Sequence, residues 1–361
     1  MDLREALTGA VVMAPMTKGS NLPYRQLCVA LGARVTVSEM AVARRLKQRR
    51  QGEYALIRRF AGEPCFGVQL AGKDPAEMAW AAALVEARGA DFVDVNLGCP
   101  IDVFTRKGLG AALGRRLNRV REIVEAMVKG VQRVPVTVKI RLGWDAKSLN
   151  HVELARAAVD GGASAVFVHG RTRDARYRQA ANWDAVGEVA AAVPVPVVGN
   201  GDLLFPHEIA AARARAGCAG VMVARGALIK PWIFREAATG VAEDPDAGER
   251  VALLRRYVEL ASAHWGTDEH GRSRVRDFLR WHLALLCRYR PPRPDGTFPT
   301  MQARDTDFVP RSPLEALLAR ADDAALDHLA DLLVEGQVVD PVAAPPPRAG
   351  PVDDREPAAQ G

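Results

Sequence analysis

The sequence predicts an α/β fold: a (β/α)8 TIM barrel followed by a smaller all-helical domain. Short apolar, β-branched runs alternate with longer helix-patterned stretches through the first two thirds of the chain, which is typical of a parallel sheet with crossover helices. Eight such runs are present, and eight βα units close into a barrel. The 361 residues exceed the roughly 250 that a barrel needs, so a second domain is expected after it.

Each predicted strand is followed by loop residues and then by a helix candidate. Examples of these helices are residues 75–88 after the third strand and 206–216 after the seventh. The strands are predicted at residues 11–16, 35–38, 66–71, 92–97, 136–140, 165–169, 195–199 and 220–224. We therefore assign residues 1–240 to the barrel.

After about residue 240 the pattern predicts helices at 248–264, 274–289 and 313–333, within a helical domain of residues 241–338. The second helix has an apolar face and an opposite, arginine-rich face, so we expect it to pack on one side and stay basic on the other. The apolar face carries Val275, Phe278, Leu279, His282 and Leu286, and the other carries Arg276, Asp277, Arg280, Ala284 and Arg288. Residues 339–361 are proline-rich and are expected to be disordered.

The composition is that of an ordinary globular protein, with 48% hydrophobic and 25% charged residues. No apolar run approaches the roughly 20 residues of a membrane helix, and the first residues lack the features of a secretory signal. A cytoplasmic protein without a membrane partner is expected. The 5 cysteines are scattered and lack a Cys-x-x-Cys pair, which argues against a disulfide framework and a metal site.

Two basic clusters stand out against a net charge of +6. One lies between residues 41 and 60, and the other places seven arginines between 272 and 293 against Asp277 alone. Such clusters suit a polyanion, because neutralising phosphates releases counterions. Either cluster taken alone is better explained as a solvated surface face.

The predicted strand ends are rich in polar and charged side chains and include a cysteine, all of which could bind a ligand or take part in catalysis. A TIM barrel builds its active site from the carboxyl ends of its strands, so these groups are expected to converge at one mouth. The residues there include Pro15, Met16, Thr17, Gln69, Asn96, Cys99, Lys139, Arg141, His169, Arg171, Asn200, Gly201, Asp202, Ala224 and Arg225.

The seventh and eighth strand ends indicate a phosphate site. Gly199, Gly201 and Gly226 allow the backbone to approach an anion, amides of the following helix point toward it, and Arg225 adds charge. Loops after strands seven and eight often bind phosphate in such barrels. Taken alone, the Gly-Asn-Gly-Asp run from 199 could be only a tight turn.

Two buried polar residues have open interpretations. Lys139 is expected to face an anion, since buried lysines are rarely unpaired; a reduced flavin would serve, and an ion pair with Asp94 is the alternative. Gln69 could bond a flavin carbonyl or simply fill the core.

Cys99 is the sharpest candidate for catalysis. A lone cysteine is more often an inert core residue, but this one follows a strand end between Gly98 and Pro100. An ordinary thiol, with a pKa of about 8.5, stays protonated at neutral pH and can act as a general acid. Asn96, two residues earlier in an extended chain, should point the same way and could bond the edge of a base.

These strand ends, in this order, resemble those of the flavin-dependent tRNA-dihydrouridine synthases. The similarity runs from about residue 11 to 334 and is most specific at NLGCP, residues 96–100, followed by Arg106-Lys107-Gly108. NLGCPID at 96–102, ARGALIKPW at 224–232 and HWG at 264–266 look closest to the eukaryotic class that acts on the tRNA variable loop. The zinc-finger region of that class has no counterpart in this sequence.

The resemblance implies an oxidoreductase that binds FMN, uses NADPH as reductant and acts on tRNA. Hydride would pass from the flavin to C6 of a uracil while Cys99 gives a proton to C5. The implied FMN contacts are Pro15, Met16, Thr17, Gln69, Lys139, His169, Asn200, Gly201, Asp202, Ala224 and Arg225. We assign substrate or tRNA contacts to Asn96, Lys107, Arg141, Arg171, Arg272, Arg276 and Arg280, and expect a monomer.

Two alternatives remain at this point. One is a dihydroorotate-dehydrogenase-like flavoenzyme acting on a small pyrimidine, which would leave the basic helical domain without a purpose. The other is a non-catalytic RNA-binding protein on a barrel scaffold, since fold alone does not establish activity.

Overall fold

The computed structural model describes residues 2–301 and 308–346. Within them the chain forms nine parallel strands, eight of which close a barrel because β2 pairs with both β1 and β4. The strands are β1 (Val11–Met13), β2 (Val35–Val37), β3 (Ala41–Val42), β4 (Cys65–Ala71), β5 (Phe92–Asn96), β6 (Val136–Arg141), β7 (Ala165–His169), β8 (Val197–Asn200) and β9 (Gly220–Val223). The predicted TIM barrel is confirmed.

The eight predicted strands all appear, with shifts of a few residues at their ends. The strands β4, β5, β6 and β7 are buried along their whole lengths, which explains their nearly continuous apolar sequences. The two-residue strand β3 was not predicted, and it extends the pairing at the carboxyl end of β4.

The helices surround the barrel and then continue beyond it. They are α1 (Leu3–Leu7), α2 (Leu22–Ala30), α3 (Ala43–Lys47), α4 (Gln51–Leu56), α5 (Pro75–Ala87), α6 (Asp102–Thr105), α7 (Leu117–Gly130), α8 (His151–Asp160), α9 (Trp183–Ala192), α10 (Pro206–Ala216), α11 (Arg225–Ile229), α12 (Ile233–Thr239), α13 (Ala247–Trp265), α14 (Glu269–Leu286), α15 (Pro313–Leu318) and α16 (Asp323–Val334). Short 3-10 helices span Gly110–Arg115 and Pro341–Ala343. No helix in this described part of the chain is both long and apolar enough to cross a membrane.

The carboxyl-terminal helices differ from the prediction in two ways. The single helix expected at 313–333 is two helices, because Asp322 caps a new start by accepting a hydrogen bond from the Ala325 amide at 3.2 Å. The ordered chain also continues past residue 339: Val339 is buried, and Arg320 donates to the Pro345 carbonyl at 2.6 Å. The rest of the predicted disordered tail, residues 347–361, lies outside the described residues.

Part of the arginine-rich face of α14 lies against α16, where Arg276 and Arg280 are paired and only partly exposed. Arg276 pairs with Asp331 and, at 3.1 Å, with Asp327. Arg280 pairs with Asp327 at 2.8 Å and with Asp323 at 2.5 Å. The expectation that this helix packs on one side only was therefore wrong, because the aspartates of α16 neutralise its second face.

The helical region is packed directly onto the barrel. Helix α13 lies along α2, and α14 contacts α11. The ring of His282 stacks on Tyr24 with centroids 4.0 Å apart, and its Nε2 lies 3.1 Å from the Asn21 amide nitrogen. These contacts place α14 beside the loops that follow β1 and β9, close to the mouth of the barrel.

Candidate active site at the barrel mouth

The predicted strand ends converge on two adjoining cavities at the carboxyl end of the barrel. The larger holds about 340 Å³ and the smaller about 250 Å³ of space between atoms, part of it open to solvent. Both are lined by His169, Tyr177, Asn200, Ala224 and Arg225. The larger also includes Ala14, Pro15, Met16, Lys139 and Leu228; the smaller also includes Arg171, Gly201, Asp202, Leu203, Met222, Val223, Gly226 and Met301.

The structure brings most of the predicted cofactor residues together, but not all of them. Thr17 is exposed on the loop after β1 and lines neither cavity. Gln69 is 1% exposed and also lines neither cavity. Its amide donates to Asp94 at 2.7 Å and accepts from Asn96 at 2.7 Å, so both ends are already engaged within the protein.

Cys99 lies under the 3-10 helix that follows its loop. The residue is 2% exposed, and burial raises the pKa of its thiol. The Ile101 N–H and the charges of Arg141 and Lys139 oppose that rise, and Cys99 lines neither of the two cavities. A thiol in these surroundings stays protonated at neutral pH and can donate a proton.

The backbone of Cys99 is held from both sides. The side-chain oxygen of Asn96 accepts from the Cys99 amide at 2.9 Å, and the Cys99 carbonyl accepts from the Ala111 amide at 3.1 Å. Gly110 has a φ of 59° and lies so close that a Cβ there would be 2.9 Å from the Cys99 Cβ. A glycine is required at this position to bring the loop over the thiol.

Asn96 has a different place from the one expected. Its amide nitrogen donates to Gln69, and its oxygen supports the amide of Cys99, so the side chain belongs to a buried chain of hydrogen bonds. That chain ends at Asp94, which also accepts from Thr137 at 2.7 Å. In the structure Asn96 therefore positions the loop that contains Cys99, which we call the thiol loop. A direct contact between Asn96 and a base remains a prediction.

Lys139 carries the main uncompensated charge of the larger cavity. It is 8% exposed and forms no ion pair with a described residue, including Asp94, the alternative partner considered from the sequence. Burial, with a further contribution from Arg141, lowers its pKa to about 8. Burial raises the pKa of Asp94 to about 6, so this carboxyl is still mostly ionised at neutral pH and its charge partly offsets the fall in the pKa of Lys139.

Arg141 lies between the thiol loop and the loop after β7. Its Nε donates to the Gly98 carbonyl at 2.9 Å and its Nη1 to the Thr172 carbonyl at 3.1 Å. Nη2 is buried without a hydrogen-bond partner. An orphaned donor on a buried guanidinium is costly unless a ligand satisfies it, so this atom marks a place for an acceptor.

Asp202 organises the smaller cavity. It adopts a left-handed conformation with φ of 52° and pairs with both Arg171 and Arg225, the latter at 3.1 Å. Arg171 also donates to Nε2 of His169 at 3.2 Å, and burial lowers the pKa of that imidazole well below its ordinary value. His169 is therefore a neutral acceptor, and Arg171, 2% exposed, is a buried wall of the cavity.

The glycines of the predicted phosphate loops serve close packing as well as access. A Cβ on Gly226 would lie 2.1 Å from the Leu203 carbonyl oxygen, and one on Gly199 would lie 2.3 Å from the ring of Trp183. Gly201 has a φ of 142°, and a Cβ there would lie 2.4 Å from that of Ala181. These glycines bring the loops after β8 and β9 together around the smaller cavity.

Tyr177 was missed by sequence reasoning. It lies on the loop after β7, lines both cavities and has the Arg225 guanidinium 3.9 Å above its ring. An aromatic residue between Arg176 and Arg178, in a loop at a strand's carboxyl end, was the available signal. The loop containing it is attached to Asp202 through the Ala181 amide at 2.8 Å.

The fold and site define a TIM barrel whose mouth combines a protected thiol with buried cations suited to an anionic ligand. A family model described as "Dihydrouridine synthase (Dus)" matches residues 12–288, and the chain belongs to that family. The resemblance predicted from the strand ends is thus confirmed.

Curated relatives extend the similarity to most of the chain. Proteins named "tRNA-dihydrouridine(47) synthase [NAD(P)(+)]-like" from Mus musculus and Homo sapiens are each 39% identical over 338 residues. The matches cover 91% and 92% of this chain, and 52% and 51% of those proteins. The "tRNA-dihydrouridine(47) synthase [NAD(P)(+)]" of Coprinopsis cinerea is 38% identical over 329 residues, covering 87% of this chain and 49% of that one. The chain spans about half the length of these relatives.

Proposed function

We propose that this chain reduces the C5=C6 bond of a uridine in tRNA to dihydrouridine, using FMN and NADPH. The observation that carries the proposal is the buried thiol of Cys99, on a loop whose Gly98 carbonyl accepts from Arg141, in a barrel of the dihydrouridine synthase family. A proton donor next to a cationic cavity suits the addition of a hydride and a proton across a polarised double bond.

The residues of the mouth fit an anionic flavin. Lys139 has no carboxylate partner, Arg141 has an orphaned buried N–H, and the smaller cavity adds Arg171 and Arg225 against Asp202. Among the described residues of the mouth, positive charge thus exceeds negative charge, so a phosphate and an electron-rich ring would be stabilised there.

The two cavities suggest how a flavin would be held. The smaller cavity, with Gly201, Asp202 and Arg225, would take the phosphate. The larger, with Pro15, Met16 and Lys139, would take the ring. A bound flavin, reduced by NADPH, would supply the hydride for C6 of the uracil.

The protein's own groups complete the reaction. The Cys99 thiol would protonate C5, and its raised pKa keeps that proton in place until it is needed. Asn96 holds the thiol loop through the Cys99 amide. The free Nη2 of Arg141 is a donor for a pyrimidine carbonyl.

Exposed cations on the rim suggest where RNA would approach. They follow the carboxyl ends of β4 and β5, on the loops beside Cys99, and form no ion pair with a described residue. They are Lys73, Arg106, Lys107, Arg115 and Arg116. This rim includes the predicted contact Lys107; Arg276 and Arg280, by contrast, are already paired with aspartates.

The names of the relatives specify position 47 of tRNA and NAD(P)(+) as the coenzyme. We propose uridine 47 as the target and a monomer in the cytoplasm as the working form.

The test is NADPH oxidation by the purified yellow protein with and without tRNA that lacks dihydrouridine, followed by mapping of dihydrouridine in the product. We expect tRNA-dependent oxidation and dihydrouridine at position 47. A colourless protein would indicate a non-catalytic RNA-binding role, and reduction of a free pyrimidine instead of tRNA would indicate the small-substrate alternative.

Substitution of the thiol tests its role separately. Cys99→Ala should lower the rate of dihydrouridine formation by about 10² to 10⁴-fold, the usual contribution of a general acid, while flavin content is unchanged. Cys218→Ala, at a buried cysteine before β9, is the matched control and should keep full activity. Equal rates for the two variants would remove Cys99 from the mechanism.

A further inference from the structure

A segment from the helical region reaches back to the cofactor site. After Tyr289 the chain turns at residues 293–297, where the Arg293 amide donates to the Thr297 carbonyl at 2.8 Å. The returning part ends at Met301, which is 6% exposed and lines the smaller cavity beside Gly201 and Asp202. We call residues 290–301 the strap.

The strap is fixed on the barrel side by aromatic contacts. The ring of Phe298 lies 4.8 Å from that of Phe205 and 4.6 Å from that of His207, both just after β8. At its start, Tyr289 packs against Trp232 with ring centroids 5.0 Å apart and donates to Asp244 at 3.0 Å. Both ends of the strap are therefore anchored on residues that follow β8 and β9.

Met301 separates the phosphate end of the site from packed apolar side chains. On one side it borders the cavity of about 250 Å³ that contains Arg171, Asp202 and Arg225. On the other it belongs to a buried apolar cluster, which also contains Leu204, Phe205, Ile229, Trp232 and Tyr289. A group extending from a phosphate in this cavity toward Met301 would meet the methionine and then the cluster.

We propose that Met301 is a specificity-determining residue, which closes the phosphate end of the flavin site so that it accepts a flavin ending in one phosphate and rejects a flavin dinucleotide. The inference rests on the proposed flavin function. Its physical basis is steric: a packed interior cannot admit a second phosphate and a nucleoside without displacing the strap.

The test is a competition between the two flavins. The full-length protein is dialysed against FMN and FAD at equal concentration, and the bound flavins are released and quantified. We expect the wild type to hold FMN. Met301→Ala should raise the bound FAD-to-FMN ratio by about tenfold or more, as expected when about 1.4 kcal/mol of discrimination is lost.

Two further variants separate shape from stability. Met301→Leu keeps the bulk and should keep the wild-type ratio. Met127→Ala removes a fully buried methionine from α7, away from the site, and should also leave the ratio unchanged. An unchanged ratio for Met301→Ala, or equal uptake of FAD by the wild type, would overturn the inference; uptake of neither flavin by the wild type would refute the proposed function itself.

A second measurement covers the case in which Met301→Ala does not fold. Met301→Cys is alkylated with or without flavin, and the modified peptide is quantified by mass spectrometry. FMN should slow alkylation several-fold, and riboflavin, which lacks the phosphate, should slow it much less. Equal protection by both ligands, or none by FMN, would contradict a position at the phosphate end.

Discussion

The residues of the barrel mouth include several buried cations and the buried thiol of Cys99, whose raised pKa keeps it protonated. Lys139, Arg141, Arg171 and Arg225 are each buried, and among the described residues Asp202 pairs with both Arg171 and Arg225. Lys139 has no ion pair with a described residue and Nη2 of Arg141 has no hydrogen-bond partner, and burying such groups is unfavourable for folding, so these two residues suit a site that binds an anion.

Lys139 gives a prediction at this scale. Its pKa is lowered to about 8, whereas an unfolded lysine titrates near 10.4, so between these values the unfolded chain binds more protons and stability rises with pH. Below about pH 8 the buried cation lowers stability. In flavin-free protein, Lys139→Met should therefore raise the melting temperature at pH 7, and the gain should shrink as pH approaches 10.4.

The control for this measurement is Lys129→Met, on the surface of α7 and 73% exposed at the side chain. It should show no comparable gain at pH 7. A Lys139→Met protein no more stable than wild type at pH 7 would mean that the lysine is not held as an unfavourable cation.

Helices and loops decide which charged residues are available to a partner. Helix α14 presents Arg276 and Arg280 to α16, where three aspartates neutralise them. The loops after β4 and β5 instead leave Lys107 and Arg116 exposed. In the sequence, both α14 and the loops after β4 and β5 are rich in basic residues. Only the packing shows which of these residues already have an ion-pair partner.

The salt dependence of tRNA binding tests this difference between elements. Arg116→Ala should reduce the slope of log affinity against log salt concentration by about one unit, as loss of one phosphate contact does. Arg276→Ala should leave the slope unchanged and lower stability by about 1 kcal/mol or less, because its ion pairs are partly exposed.

The outcome can be measured by filter binding at several salt concentrations together with thermal unfolding. A reduced slope for Arg276→Ala would return α14 to the RNA-facing surface that its sequence predicted. An unchanged slope for Arg116→Ala would remove the rim from the proposed interface.

At the scale of the whole molecule, the helical region and the barrel share a buried polar contact. His282 of α14 accepts from Asn21 at 3.1 Å and stacks on Tyr24, and burial lowers its pKa to about 3. An unfolded histidine titrates near 6.5, so between about pH 6.5 and 3 the unfolded chain binds the extra proton. Stability therefore falls as pH drops through this window.

Replacing the histidine should reduce that acid sensitivity. At pH 4.5 the linkage amounts to about 2–3 kcal/mol for one histidine, so His282→Phe should lose less of its melting temperature than wild type between pH 7 and 4.5. The exposed His270→Phe is the control and should follow the wild type. Parallel curves for all three proteins would show that the contact does not titrate as described.

Much of the fold and the chemical identity of the site could be predicted from sequence. The barrel strands are short apolar runs bounded by loops. Their regular alternation with helices can be recognised without knowing how the side chains pack. Because parallel strands bring their carboxyl ends to one mouth, the sequence predicts that Cys99, Lys139 and His169 lie at the same end of the barrel. The family followed from the same residues.

What only the tertiary structure decided is how each polar group is used. Sequence could not show that Asn96 supports the Cys99 amide, that α16 neutralises Arg276, or that Met301 lines the smaller cavity. The physical reason is range: strand and helix periodicity are local properties, whereas hydrogen-bond partners and cavity walls are set by segments far apart in the chain. The sequence by itself determined the barrel and predicted Cys99 as its catalytic thiol, and long-range packing determined the burial, the hydrogen-bond partners and the ion pairs of the site.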